Sequence, residues 1–138
     1  MSNQSRSGAR GTCLIVEDSS FDQEKIKRII ERSFTNLDVV IAPTIERARA
    51  AVEMYKITVI LLDNNLPDGN GASFAVELSE DAKHADIPVV IVSDWPTPFM
   101  FHKAEIAGVR HVVSKSDFGA RFVHSALQQA RGFTARIA

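Results

Sequence analysis

The 138-residue chain is 45% hydrophobic, enough apolar material for the core of one domain. Its 16 Lys and Arg nearly balance 17 Asp and Glu, and the net charge of −1 argues against a general nucleic-acid binder. No apolar run approaches the roughly 20 residues of a bilayer span, and the start, "MSNQSRSGARG", is unlike a signal peptide. The single Cys13 cannot form an internal disulfide, so a cytoplasmic protein is expected, with no direct nucleic-acid contact and no membrane insertion.

In chain order, residues 1–11 read as a disordered tail of Ser, Gly, Arg and Asn. "CLIVED" (13–18) is a short buried strand ending in two acids, with Cys13 in the core. A helix follows over 19–34, with Phe21, Ile26, Ile29, Ile30 and Phe34 on one face and Ser20 and Gln23 at capping-box spacing. "DVVIA" (38–42) is the next strand, and Thr44 caps a helix bearing Ile45, Ala48, Val52 and Tyr55. "TVILLD" (58–63) is a third strand. Pro67, Gly69 and Gly71 turn the chain into a helix from 71 to about 82 that carries Phe74 and Leu78. "IPVVIVS" (87–93) is a fourth strand, and Thr97-Pro98 opens a helix that Gly108 ends. "VRHVVS" (109–114) is the fifth strand, followed by a helix over 117–131 that stops at Gly132 and leaves a short tail at 133–138.

Five strands thus alternate with five helices. Near-continuous Val/Ile/Leu strands are what a sheet buried on both faces requires, so the expected fold is a doubly wound α/β parallel sheet. Ligands gather at the carboxyl ends of such strands. Those ends carry Glu17, Asp18, Asp63, Ser93 and Lys115. Three close carboxylates repel one another unless a cation neutralises them, and hard oxygen ligands suit Mg²⁺. A cation, a lysine and a hydroxyl around one carboxylate would also stabilise an arriving phosphoryl group, for which a carboxylate can be the nucleophile.

The motifs "LIVED", "VILLDNNLPDGNG", "PVVIVS" and "VVSK", in that order, resemble the receiver domain of two-component response regulators over about residues 12–131. The resemblance implies a five-stranded, flavodoxin-like sheet of order 2-1-3-4-5 and a domain over 12–132. It implies Asp63 as phosphoacceptor, Glu17 and Asp18 as the acidic pair holding Mg²⁺, and Asn65 as donor of a backbone carbonyl to the metal. Ser93 corresponds to the hydroxyl that contacts the phosphoryl group and Lys115 to the lysine that pairs with it. The phosphoryl group would come from a sensor histidine kinase or a histidine phosphotransfer protein, and the chain would catalyse only its own phosphorylation and dephosphorylation. With only about six residues after the last helix, a stand-alone receiver is expected. It would act by touching a downstream protein, relaying the phosphoryl group, or pairing as a homodimer through the fourth helix, fifth strand and fifth helix.

Other readings fit less well. A calcium loop counted from Asp63 would meet Pro67 and Asp68 where it needs an acid or amide and a glycine. A haloacid-dehalogenase-like phosphatase would carry a second Asp at the position of Asn65. A receiver fold acting as a phosphorylation-independent binding module is the remaining alternative, and the retained acids, hydroxyl and lysine speak against it. His84, His102, His111 and His124 lack tight ligand spacing and read as structural or surface residues.

The departures from the family cluster on the side used for output. Asp94 follows Ser93 where a small residue is usual, and the bulky, stiff pair Trp95-Pro96 comes next. Ser116 stands where proline is common, and Val112 where the family often has a Tyr or Phe that rotates on activation. Phe99, Met100 and Phe101 cannot all face one core, so a partner surface is expected there. The expected signal path is the 93–103 segment, with Trp95 as its moving aromatic. Trp95 and Asn65 are also expected to flank the aspartyl phosphate and limit attack by water.

Overall fold

The structure, a computed structural model, describes residues 10–137, with side chains as far as Gln129. Five strands run in parallel: β1 (Gly11–Val16), β2 (Leu37–Ala42), β3 (Val59–Leu62), β4 (Val89–Ser93) and β5 (His111–Ser114). They lie in the order β2-β1-β3-β4-β5. Between and after them come α1 (Ser20–Ser33), α2 (Ile45–Met54), α3 (Gly71–Ser79), α4 (Pro98–Ala107) and α5 (Ala120–Ile137). A two-residue hairpin, Asn65–Leu66 against Gly69–Asn70, joins β3 to α3. This is the expected doubly wound sheet.

Strand pleating divides the core in two. Leu14, Val16, Ile60, Leu62, Val89 and Ile91 pack with α2, α3 and α4, while Cys13, Ile15, Val59, Leu61, Val90 and Val92 pack with α1 and α5. Side chains alternate in a strand with a period of two, so each apolar run feeds both layers at once. Cys13 is fully buried, and burial pushes its thiol up to about 12, consistent with an inert core residue.

Several local expectations shift. The cap of α1 is Ser19, whose hydroxyl accepts from the Asp22 amide at 3.3 Å, and not Ser20. Gln23 donates instead to the Glu17 carbonyl at 2.7 Å. Phe21 is 76% exposed, because it lies five residues before Ile26 and so about 140° around the helix from the buried Ile26–Ile30 stripe. Tyr55 is the exposed C-cap of α2 and not part of its buried face. Helix α3 ends at Ser79, since the Asp81 carboxylate takes the Lys83 amide at 2.9 Å and draws the chain into turns.

Gly11 and Arg10, expected to lie in a tail, belong to the folded part: β1 begins at Gly11, and Arg10 donates to the Asp38 carboxylate and the Thr35 carbonyl. Residues 1–9, where the rest of that tail is expected, lie outside the described residues. The last helix starts at Ala120, because a turn anchored by the Ser114 hydroxyl on the Asp117 amide comes first. It continues to Ile137, past Gly132, whose cost of about 1 kcal/mol in a helix interior does not stop it. His84, read from the sequence as a structural or surface residue, is buried between Asp81 (3.2 Å) and Glu53 (3.6 Å).

One glycine is demanded by the fold. A Cβ on Gly71 would collide with the backbone carbonyl of Asp63. Gly71→Ala is therefore expected to lower stability by about 1–3 kcal/mol, read as the midpoint shift in urea unfolding. An unchanged midpoint would refute this close packing of the loop on α3.

Candidate functional site

Main-chain ladder bonds carry the polar residues to the carboxyl rim of the sheet. The Glu17 amide donates to the Ala42 carbonyl at 3.0 Å, the Asp63 amide to Val16 at 2.9 Å, and the Lys115 amide to Ser93 at 3.1 Å. Strand order reverses between β1 and β3, so Glu17, Asp18 and Asp63 meet at the topological switch point. A carboxylate oxygen from each of the three lies within 4.8 Å of the others. Glu17 and Asp63 are buried, and Asp18 is open to solvent.

Lys115 reaches back over this cluster. Its ammonium lies 2.8 Å from Asp22 Oδ2, 2.9 Å from Glu17 Oε1, 3.6 Å from Asp63 Oδ2 and 3.8 Å from Asp94 Oδ2. The Asp22 contact has hydrogen-bond geometry, whereas Glu17 Oε1 is near enough for an ion pair yet is left without a hydrogen bond. Glu17 Oε2 is occupied by the Ser19 amide at 2.9 Å. Ser93 is fully buried at the end of β4, and its Oγ has no hydrogen-bond partner among the described residues.

The charges respond to this crowding. Burial, and then the neighbouring Glu17 charge, push Asp63 up to about 6, against the lowering effect of Lys115 and of the Asn65 and Asn64 amides. Burial works against the Lys115 ammonium, but the carboxylates around it, Asp22 first and then Glu17 and Asp63, outweigh it and raise the lysine above its ordinary range. A buried carboxylate oxygen lacking a donor, beside two further carboxylates, fits a divalent cation bound through oxygen. The adjacent unpartnered hydroxyl and lysine fit an anion.

The loop after β3 is held from three directions by residues whose structural roles the sequence did not reveal. The buried Asn64 takes the Gly71 amide on its carbonyl (2.8 Å) and the Ala72 amide on its side chain (2.9 Å). Asn70 caps α3 through the Ser73 amide at 3.1 Å. Asp68 accepts the Ile45 and Glu46 amides at 2.9 and 3.0 Å, which ties the hairpin to the start of α2. Asn70 has an ordinary cap signature, an Asn three residues before a bonded amide. Asp68 and Asn64 act across the fold or over eight residues, and no short-range spacing reveals them. Asp22 was also missed, although an acid in the first turn of a helix beside Glu17-Asp18 is a visible signal.

Most of the residues expected on the output side lie outside the buried cluster. Asp94 is exposed but within reach of Lys115, and Trp95, Phe99 and Phe101 are exposed at 79%, 77% and 49%. Met100 takes the core position of its triplet. Val112 sits in β5 opposite Ile91 and packs on the α2/α3/α4 layer as an ordinary core-edge residue. Asn65 opens the hairpin opposite Asn70.

The raised Asp63 has a consequence for stability. An unfolded Asp near 3.8 titrates below the folded one near 6, so folding is favoured by protonated Asp63 below about pH 4, and that stability is lost as pH rises through 6. In EDTA, Asp63→Asn should stabilise the protein at pH 8 by up to about 3 kcal/mol and by little at pH 4. Urea unfolding at both pH values measures this, and a gain equal at both would contradict it.

Residues 13–127 match the family model for the response regulator receiver domain. The transcriptional regulatory protein CitB of Klebsiella pneumoniae is 44% identical over 61 residues, 44% of this chain and 26% of that protein, so the match spans about a quarter of that relative. Among solved structures, a CheY-like receiver domain protein of Methanospirillum hungatei JF-1 superposes with a TM-score of 0.78 at 18% identity, covering 92% of this chain and 98% of that one. The Mn²⁺-bound form of response regulator Rcp1 gives a TM-score of 0.70 at 22% identity over 89% and 93% of the two chains. A five-stranded sheet of order 2-1-3-4-5, an acidic cluster at its switch point and a family match across most of the chain place this protein among the response regulator receiver domains of two-component signalling.

Proposed function

We propose that the protein accepts a phosphoryl group on Asp63 from the phosphohistidine of a sensor kinase or phosphotransfer protein and signals through contacts with another protein. The observation that carries this reading is the buried Asp63 carboxylate, clustered with Glu17 and Asp18 and reached by Lys115 at 3.6 Å. Glu17, Asp18, Asp63 and the Asn65 carbonyl would hold Mg²⁺, whose chemistry is to neutralise charge on the carboxylates and the transferring group.

The chain's own residues do the rest. An Asp63 carboxylate oxygen attacks phosphorus, an O–P bond forms, and the N–P bond breaks with its electron pair going to the donor imidazole. Lys115 compensates charge on the phosphoryl oxygens, and the Ser93 hydroxyl donates to one of them, which satisfies its otherwise unpartnered oxygen. Hydrolysis of the resulting acyl phosphate by water returns Asp63 and inorganic phosphate.

Output is best supported on the α4 side. Trp95, Phe99 and Phe101 present aromatic surface beside the site, and Asp94 links that segment to Lys115. Val112 offers no aromatic swing from β5, so Trp95 is the reporter in this reading. The same region, α4 with β5 and α5, would serve a homodimer.

Incubation with Mg²⁺ and acetyl phosphate should add one phosphoryl group by intact mass, and Asp63→Asn should abolish it. An unmodified wild-type protein would leave the binding-module reading, and many turnovers on phosphate esters would revive the phosphatase reading. Trp95 fluorescence should change when Mg²⁺ and beryllofluoride are added. No change in a sample shown to be phosphorylated would exclude Trp95 as the reporter.

A further inference from the structure

Lys115 is hydrogen-bonded to a residue outside the acid, hydroxyl and lysine set discussed above. Asp22 Oδ2 accepts from its ammonium at 2.8 Å, while the Asp63 carboxylate waits at 3.6 Å. Asp22 sits in the first turn of α1, where its own amide is held by the Ser19 hydroxyl. An anion in a first turn is favoured by the helix dipole. The side chain is 21% exposed and Lys115 12%, which shields the pair from much of the solvent screening that weakens surface ion pairs.

We propose that Asp22 is a positioning residue that holds the Lys115 ammonium away from Asp63 until a phosphoryl group competes for it. The inference rests on the reading of Asp63 as phosphoacceptor. Three geometric facts support it. The Lys115 backbone is pinned by its bond to the Ser93 carbonyl, so the ammonium moves only by side-chain rotation. Glu17 Oε1, although 2.9 Å away, is not hydrogen-bonded, so Asp22 is the contact that orients the donor. A charge-assisted bond to a phosphoryl oxygen requires about 2.7–2.9 Å, so the lysine has to close its gap to the Asp63 side by loosening its hold on α1.

This tether connects the phosphorylation site to the start of α1, the face opposite α4. Release of Asp22 on phosphorylation would therefore change the first turn of α1 as well as the aromatic segment. The acid acts as a competitor of the phosphoryl group, and its removal should favour the phosphorylated-like state.

The test compares wild type, Asp22→Asn and Asp22→Glu. In the free protein, the Lys115 side-chain ammonium should give a slowly exchanging ¹H–¹⁵N signal, absent in Asp22→Asn and retained in Asp22→Glu. Beryllofluoride should bind Asp22→Asn about three- to tenfold more tightly in saturating Mg²⁺, as expected when a competing ion pair is removed. Acetyl phosphate should label it faster by a similar factor, and Asp22→Glu should return both values toward wild type. Mg²⁺ affinity, measured separately, should change less than about twofold. An unaltered ammonium signal, an unchanged beryllofluoride affinity, or slower labelling with weakened Mg²⁺ binding would each overturn the proposal. A wild-type protein that takes no phosphoryl group would refute the function instead, while the ammonium signal would still decide the Asp22 contact.

Discussion

Burying two carboxylates at one point is unfavourable, and the arrangement of this protein's working end follows from that cost. Glu17 and Asp63 are almost wholly out of water, and each raises the free energy of the other's charge. One lysine supplies the compensation available from the described side chains, spread over four carboxylates between 2.8 and 3.8 Å. A single ammonium has three protons, so it cannot satisfy four acids and a new anion at once. The site is left short of positive charge, with one carboxylate oxygen and one hydroxyl unbonded. In the proposed function, that deficit is what would make it receptive to a cation and to a phosphoryl group.

The sheet pays for this crowding through its core. Both faces of β1, β3 and β4 are covered, and their side chains alternate between two apolar layers without a gap. The change from apolar to polar comes just past the ends of β1 and β3, at Glu17 and Asp63, and at the last residue of β4, Ser93. Ladder bonds at Glu17, Asp63 and Lys115 hold the backbone there, so the charges cannot relax by drifting apart. The rigidity belongs to the strands, and the chemistry to the residues just beyond them.

Much of this was legible in the sequence because it depends on local pattern. Apolar runs marked the strands, Thr44 and Thr97-Pro98 marked helix starts, and Gly108 marked a left-handed stop with φ of 71°. Residues at successive strand ends are brought together by any parallel sheet, so Glu17, Asp18, Asp63, Ser93 and Lys115 could be grouped before any geometry was known. Other features depend on contacts far apart in the chain. Lys115 and Asp22 are 93 residues apart, and Asp68 meets α2 across 22 or 23 residues. Phe21 and Ser19 were misread for smaller reasons: a five-residue step turns Phe21 about 140° from Ile26, and two adjacent serines offer the same capping signal.

The Asp68 contact gives the rim an uneven stiffness. Helix α2 takes its first hydrogen-bond acceptors from Thr44 and from the same loop that follows the central strand. Lifting that loop would strip the helix of a cap, a loss of about 1 kcal/mol, in addition to its bonds with α3. Beyond β4 the chain from Asp94 to Phe99 is exposed throughout, and its one recorded side-chain cap is Thr97 on Met100. Motion provoked at the rim therefore meets resistance on one side and little on the other. The rim is therefore stiffer beside β3 than beyond β4.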